Sequence, residues 1–278
     1  TIAGIIQLFF LIFFTSKYYK PNIKLSFKIN NRVKFFFKKL LPSVFSSGVT
    51  QINILIGTII ASFQSSAVSY LYYADRVYQI NLAIAGIAVG TVSLPVLSKA
   101  FHSKNYSRVT KIQNKSLELS LLLSIPASLG LIIASEEIVS GLFGYGSFTY
   151  TDVKMTSEAL MFFGYGIIAF ALVKILANFY FARDNTKTPF YISSFIVFLN
   201  VMISVSFFNQ IGFLIVPIAT TISTWIGMLI FLYLLEKNNY LLLQKKLFKS
   251  IFKIIISSMI MVFVLSYVLK NYSSYLDY

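Results

Sequence analysis

The chain has 278 residues, 57% hydrophobic and only 12% charged, with 24 Lys and Arg against 9 Asp and Glu for a net charge of +15. Soluble domains carry about a quarter charged residues, so this composition argues for an integral membrane protein and against a soluble globular one. The absence of Cys and the presence of only one His, His102, exclude disulfides, thiolate metal sites, cysteine nucleophiles and histidine clusters. In a membrane protein the positive charge reports topology, and no nucleic-acid partner is expected.

A bilayer-crossing helix needs about 20 mostly apolar residues. That ruler predicts eight spans, at 1–16, 40–63, 70–98, 116–135, 157–182, 188–208, 211–236 and 247–269. The first opens at Thr1, inside a hydrophobic run with no Met and no signal-peptide n-region, and reads as an internal piece of a longer polytopic protein. Lys and Arg stay on the cytoplasmic side. Segment 17–39 carries eight of them, 99–115 five, 183–187 two and 237–253 five, so 20 of the 24 fall on alternate connections. The other connections differ. Segments 64–69 and 209–210 are uncharged, and 136–158 holds Glu136, Glu137, Asp152 and Glu158 against Lys154 alone, the pattern of an acidic outside loop. Both ends of the chain are therefore expected outside. The basic segments orient the protein and attract anionic membrane lipid, at about 1 kcal/mol per Lys or Arg near the surface.

Ionisable residues within bilayer helices are costly and mark function. Three stand out: Asp75, Arg76 and Lys174. On a regular helix Ser69, Tyr72, Gln79, Ala83, Gly86 and Gly90 fall within about 80° of Arg76, one polar and small-residue face. Such a face lines a water-filled cavity or packs closely on another helix, and the fork of Arg suits phosphate. An ion pair with Asp75 or outward snorkelling are the structural alternatives. In the second span Ser46, Thr50, Asn53 and Gly57 share a face able to line the same cavity, though such stripes are also common packing devices. Asn200 and Ser204 are one turn apart in the sixth span, and Pro217, Thr220, Thr221 and Thr224 cluster in the seventh. Lys174 lies two turns from the cytoplasmic end of the fifth span, with Asn178 one turn on. Pro95, Pro126 and Pro217 suggest kinked or broken helices. No phosphate loop, paired intramembrane acids or activated nucleophile is present, so transport leads over enzymatic catalysis.

The segment YYADRVYQINLAIAGIAVGTVSLPVLSK at 72–99 resembles the eighth-helix motif of the MurJ (MviN) family of lipid II flippases. LPSVFSSGVTQINILIGTIIASF at 41–63 resembles the preceding helix of that family, LFGYGSFTYTD at 142–152 its outer loop, and FARDNTKTP at 181–189 its next turn. The order of the four segments is that of the family. The resemblance implies an all-α exporter of the multidrug/oligosaccharidyl-lipid/polysaccharide (MOP) superfamily in the bacterial cytoplasmic membrane, with this chain covering helices six to thirteen of fourteen. It implies three parts: 1–39, the end of the first lobe and a basic cytoplasmic linker; 40–236, the six-helix second lobe; and 237–278, a cytoplasmic loop and an additional helix. It also implies a cargo, the undecaprenyl-diphosphate-linked peptidoglycan precursor, moved from inner to outer leaflet by alternating access, with cell-wall synthesis proteins as further partners.

The arginine of the family's ADR falls on Arg76, which the resemblance implies helps to hold the diphosphate; Asp75, Tyr72, Gln79, Ser46, Thr50, Asn53 and Lys174 complete the candidate substrate set. Some members have a sodium site with acidic ligands, and Asn200, Val216 and Thr220 fall at its positions. The second, sixth and seventh spans contain no carboxylate in their cores, which weighs against sodium coupling. No other cofactor is expected. An inside-negative membrane potential favours inward movement of positive protein charge and would reset an empty cationic carrier. Two competing readings are an exporter of another polyprenyl-linked oligosaccharide or of small cations, and a non-transporting membrane scaffold.

Overall fold

The computed structural model describes residues 2–16, 18, 30, 33–34, 37 and 51–272. The chain divides into two units, 1–39 and 40–278. In the first, α1 (Ile2–Ser16) is apolar around its whole circumference and its large side chains are exposed, as expected of a helix facing lipid.

The second unit holds α2 (Gln51–Ala61) and α3 (Ala67–Leu82), which passes through a π-helical segment, Ala83–Ala88, into α4 (Val89–His102). Beyond these come α5 (Tyr106–Ile133), α6 (Ser135–Phe143), α7 (Tyr150–Phe181), α8 (Lys187–Ile211), α9 (Ile215–Lys237) and α10 (Lys245–Tyr272). Five stretches of the described residues are long and apolar enough to cross a membrane. One of them, Lys187–Lys237, folds back on itself at Gly212, whose φ of 72° and ψ of −153° suit only glycine. The resulting α8–α9 hairpin is antiparallel: Asn200 meets Thr220, and Ile196, earlier in the chain, meets the later Gly227. The predicted spans fall on α1, α2, α3 with α4, α5, α7, α8, α9 and α10, the part of the second before Gln51 lying outside the described residues.

Pro217 does not kink α9. It sits in the first turn, where the missing N–H had no intrahelical partner to lose. The acidic segment expected as a loop contains α6. Nine residues are too few for a span, but Val139 is buried against α7 and Glu136 and Glu137 sit in the first turn, where the helix dipole favours them. The next motif residues have a structural purpose too: Thr149 and Asp152 form a capping box, the Asp152 carboxylate accepting from the Thr149 N–H at 2.7 Å.

Helix α7 is the axis of the second unit. It is apolar on every side, is the most buried of the candidate spans, and packs on α3, α5 and α9. α10 packs on α5. Because lipid is as apolar as leucine, such packing rests on close contact and hydrogen bonds more than on water exclusion.

Side-chain bonds gather alternate connections at opposite ends of the bundle. At one end the Gln64 side chain accepts from the Phe213 N–H at 2.9 Å, and the Tyr70 hydroxyl donates to Asp152 at 2.9 Å. At the other, Arg183 donates to the Tyr240 carbonyl at 2.8 Å, Gln113 donates to the same oxygen at 2.8 Å, and His102 lies 3.5 Å from Asp184. Burial pulls the Arg183 guanidinium below its ordinary pKa, and the neighbouring Tyr240 and Tyr180 partly offset that. The second end carries the basic connections, so the sidedness expected from Lys and Arg placement matches the way the bundle ties its loops.

Candidate functional site

Two clefts of the second unit hold candidate residues. The first, about 250 Å³, lies between α2, α3 and α9; Asn53 and Gly57, Tyr72 and Asp75, and Val216 and Thr220 line it. Asn53, Tyr72 and Asp75, expected at an anion site, therefore share one cleft with two of the three residues expected at a cation site. Ser46 and Thr50 lie outside the described residues.

Arg76 is exposed beside this cleft, its guanidinium over the Tyr72 ring at 4.7 Å from the centroid. The Asp75 carboxylate is taken up instead by the Gln79 side-chain amide one turn along. Among the described residues no carboxylate stands within ion-pair distance of Arg76. The structural alternative of an Arg76–Asp75 ion pair is thus not the arrangement adopted. A guanidinium that stacks on an aromatic ring and keeps its N–H fork open can take a bidentate oxyanion.

The wall behind the cleft is a hydrogen-bonded cluster that ties three helices. Asn200, buried on α8, donates through its amide to Asn53 of α2 at 2.8 Å and to the Thr220 hydroxyl of α9 at 3.0 Å, and its carbonyl accepts from Ser204 at 3.0 Å. Thr220 in turn donates to the Val216 carbonyl at 2.7 Å. The side chains of this cluster are all neutral, and the one carboxylate lining the same cleft is that of Asp75. The Asn200 NH₂ points at the oxygens of Asn53 and Thr220, which a cation would need to face itself.

The small-residue face expected to run from Arg76 to Gly90 does not stay on one side. From Ala83 to Ala88 the helix closes π turns, and the extra residue such a turn takes in rotates the rest of the helix by about 100° on an α-helical wheel. Gly86 accordingly turns onto α7, where an added Cβ would stand 3.1 Å from the Ala171 Cα. Gly90 lies under Asn178, whose amide donates to the Gly90 carbonyl at 3.0 Å. These glycines serve close helix contact and floor a second cleft.

That second cleft, about 620 Å³, lies between the π segment with α4, α7 and α8. Lys174 lines it with Asn178, Thr91 and Ser193. Lys174 is thus not gathered with Arg76, as the candidate set had implied. Sequence reasoning missed the Asn178–Gly90 bond and the presence of Tyr78 and Phe163 in the first cleft; only the one-turn spacing of Lys174 and Asn178 hinted at the former.

Comparison with known proteins places this geometry. The sequence model of one family, described as lipid II flippase MurJ, matches residues 1–277. The chain belongs to the MurJ family. A probable lipid II flippase MurJ of Rickettsia prowazekii is 33% identical over 276 residues, 99% of this chain and 54% of that protein. One from Rhizobium meliloti is 36% identical over 203 residues, 73% of this chain and 38% of that protein. A solved structure of lipid II flippase MurJ in an inward closed conformation superposes with a TM-score of 0.73 at 29% identity, covering 91% of this chain and 52% of that one. An outward-facing multidrug resistance MATE transporter of the MOP superfamily matches at a TM-score of 0.64 and 17% identity over 84% of this chain and 53% of that one, which speaks to fold alone. The chain is all-α, multi-pass and of the bacterial inner membrane, in a family of transporters and not of enzymes. It spans about half the length of the Rickettsia relative.

Proposed function

We propose that the full-length protein moves an undecaprenyl-diphosphate-linked peptidoglycan precursor from the inner to the outer leaflet, with the first cleft as part of the headgroup site. The observation that carries this is the open Arg76 guanidinium, held over Tyr72 while Gln79 occupies the adjacent carboxylate. A diphosphate supplies the paired oxygens that such a fork binds. Asn53 and Tyr72 offer further polar contact from the cleft wall. The headgroup enters from the cytoplasmic side, is neutralised by Arg76 and by cations elsewhere in the full-length protein, and leaves outward as the helices rock, the polyprenyl tail staying in lipid. An inside-negative potential resets the emptied cationic cavity.

We infer further that sodium takes no part, because the cluster of Asn53, Asn200 and Thr220 already satisfies its own oxygens with amide hydrogens. The basic cytoplasmic connections bind anionic lipid, and cell-wall synthesis proteins at that face supply the cargo.

The test is rescue of bacteria depleted of their lipid II flippase by the full-length protein and by its Arg76→Ala form at matched membrane expression. Rescue by the parent with failure of the variant is expected. Equal rescue by both removes Arg76 from the headgroup site, and failure of a well-expressed parent favours another polyprenyl-linked cargo or a scaffold.

A further inference from the structure

The second cleft has no place in the function proposed above. Lys174 lies on α7 about two turns before that helix ends at Phe181, so it sits within a membrane-crossing helix but in its cytoplasmic half. It is exposed, and none of the residues lining the cleft with it is acidic. Among the described residues no carboxylate lies within ion-pair distance of its ammonium. A lysine at this depth is costly unless its charge is used. The cleft is also built to stay open. Gly90 leaves room for Asn178, and an added Cβ there would meet the Asn178 amide at 2.8 Å. The Asn178 amide is anchored on the Gly90 carbonyl, which leaves its own carbonyl oxygen, with the hydroxyls of Thr91 and Ser193, as polar lining around the cation. Pro95, also in the lining, has no N–H to give the Thr91 carbonyl one turn back.

The cleft is far from Arg76. Gly90 and Arg76 lie on one continuous helical run, Ala67–His102, 14 residues apart, or about 20 Å at 1.5 Å per residue. At about 620 Å³ it is the roomier of the two clefts.

We propose that Lys174 and its cleft form a second, cytoplasmic-side anion station, which receives the diphosphate of a polyprenyl-linked lipid before it reaches Arg76. This rests on the flippase reading. A single ammonium among neutral polar groups suits a receiving station, since it attracts a doubly charged headgroup without the bidentate grip that would hold it there.

The experiment uses the purified full-length protein, with farnesyl diphosphate and uncharged farnesol as soluble probes. Lys174→Gln is expected to weaken farnesyl diphosphate binding by about tenfold and to leave farnesol unchanged, while Lys174→Arg stays within about threefold of the parent. Unchanged diphosphate binding in Lys174→Gln overturns the station. In a cysteine-free background, Lys174→Cys is expected to react with a membrane-impermeant methanethiosulfonate from the cytoplasmic side and to be protected by farnesyl diphosphate; labelling from the outside alone, or labelling without protection, also overturns it. Loss of rescue in Arg76→Ala together with unchanged binding in Lys174→Gln leaves the flippase reading standing and removes only the station. A parent that binds neither farnesyl diphosphate nor rescues depleted cells removes both.

Discussion

Replacing Asn200 by alanine isolates the cluster behind the first cleft. Three hydrogen bonds disappear: the amide bonds to Asn53 at 2.8 Å and to Thr220 at 3.0 Å, and the Ser204 bond to the Asn200 carbonyl at 3.0 Å. Interhelical side-chain bonds in membranes average about 0.6 kcal/mol; with a similar value for the Ser204 bond, which lies within α8, the direct loss is about 2 kcal/mol, a factor of about 30 in the folding equilibrium. The partners fare unequally. Thr220 keeps its bond to the Val216 carbonyl at 2.7 Å, and Asn53 lines the cleft, where water can reach it. Ser204 is 1% exposed and loses its side-chain acceptor, which adds about 1 kcal/mol at the low end of the cost of a buried orphan. The expected destabilisation is about 3 kcal/mol, measured by detergent-induced unfolding of the purified full-length protein. A double-mutant cycle of Asn200→Ala with Ser204→Ala should show coupling of about 1 kcal/mol, because the two share one bond. A loss under about 0.5 kcal/mol for Asn200→Ala, or strict additivity in the cycle, refutes the cluster as described.

Gly212→Ala should destabilise the α8–α9 hairpin by about 2–3 kcal/mol in the same unfolding assay, since φ of 72° with ψ of −153° is closed to alanine and the added Cβ would meet the Gln64 side-chain oxygen at 2.8 Å. Asn53→Asp should create a sodium-dependent rise in melting temperature, measured against potassium and choline, where the parent has none; a sodium-specific rise in the parent refutes the neutral reading of the cluster. Deleting Ala85 should restore α-helical register across Ala83–Ala88 and rotate Gly86 off Ala171, so the full-length protein should fail to accumulate in the membrane. Normal accumulation and rescue would make the π segment incidental.

The spans, and the gathering of the basic connections at one end, were legible because both signals are local: an apolar run announces a helix, and Lys and Arg cluster in alternate connections. Helix α6 escaped the same ruler, since nine residues with two glutamates read as loop until Val139 is seen to pack. The face through Arg76 was legible only as far as Gln79. The wheel assumes 3.6 residues per turn, and nothing in the run AIAGIA at 83–88 declares that it closes wider turns. The partnership of Asn53 with Asn200 was hidden for another reason: 147 residues separate them, and periodicity within one helix carries no information about which other helix it meets. The capping box at Thr149 and Asp152 shows the converse, a motif of the outer loop that local chemistry alone explains.

The π segment lies between the two clefts, and its position accounts for how one helix serves both. A continuous α-helix from Ala67 to His102 would hold Arg76, Gly86 and Gly90 near one stripe, so the same stripe would have to stay open for a charged headgroup and also pack tightly on α7. Those demands conflict: Arg76 needs a wet, uncrowded surface, whereas Gly86 approaches the Ala171 backbone so closely that an added methyl group would stand 3.1 Å from its Cα. Rotating the helix between them separates the demands. Arg76 lies exposed beside the first cleft on one half, Gly86 packs on α7 at the edge of the second cleft, and Gly90 makes room for Asn178 next to Lys174 on the other half. The irregular turns are tolerated because they lie within a helix whose backbone groups find partners internally, which is the condition lipid imposes on any departure from the α-helix.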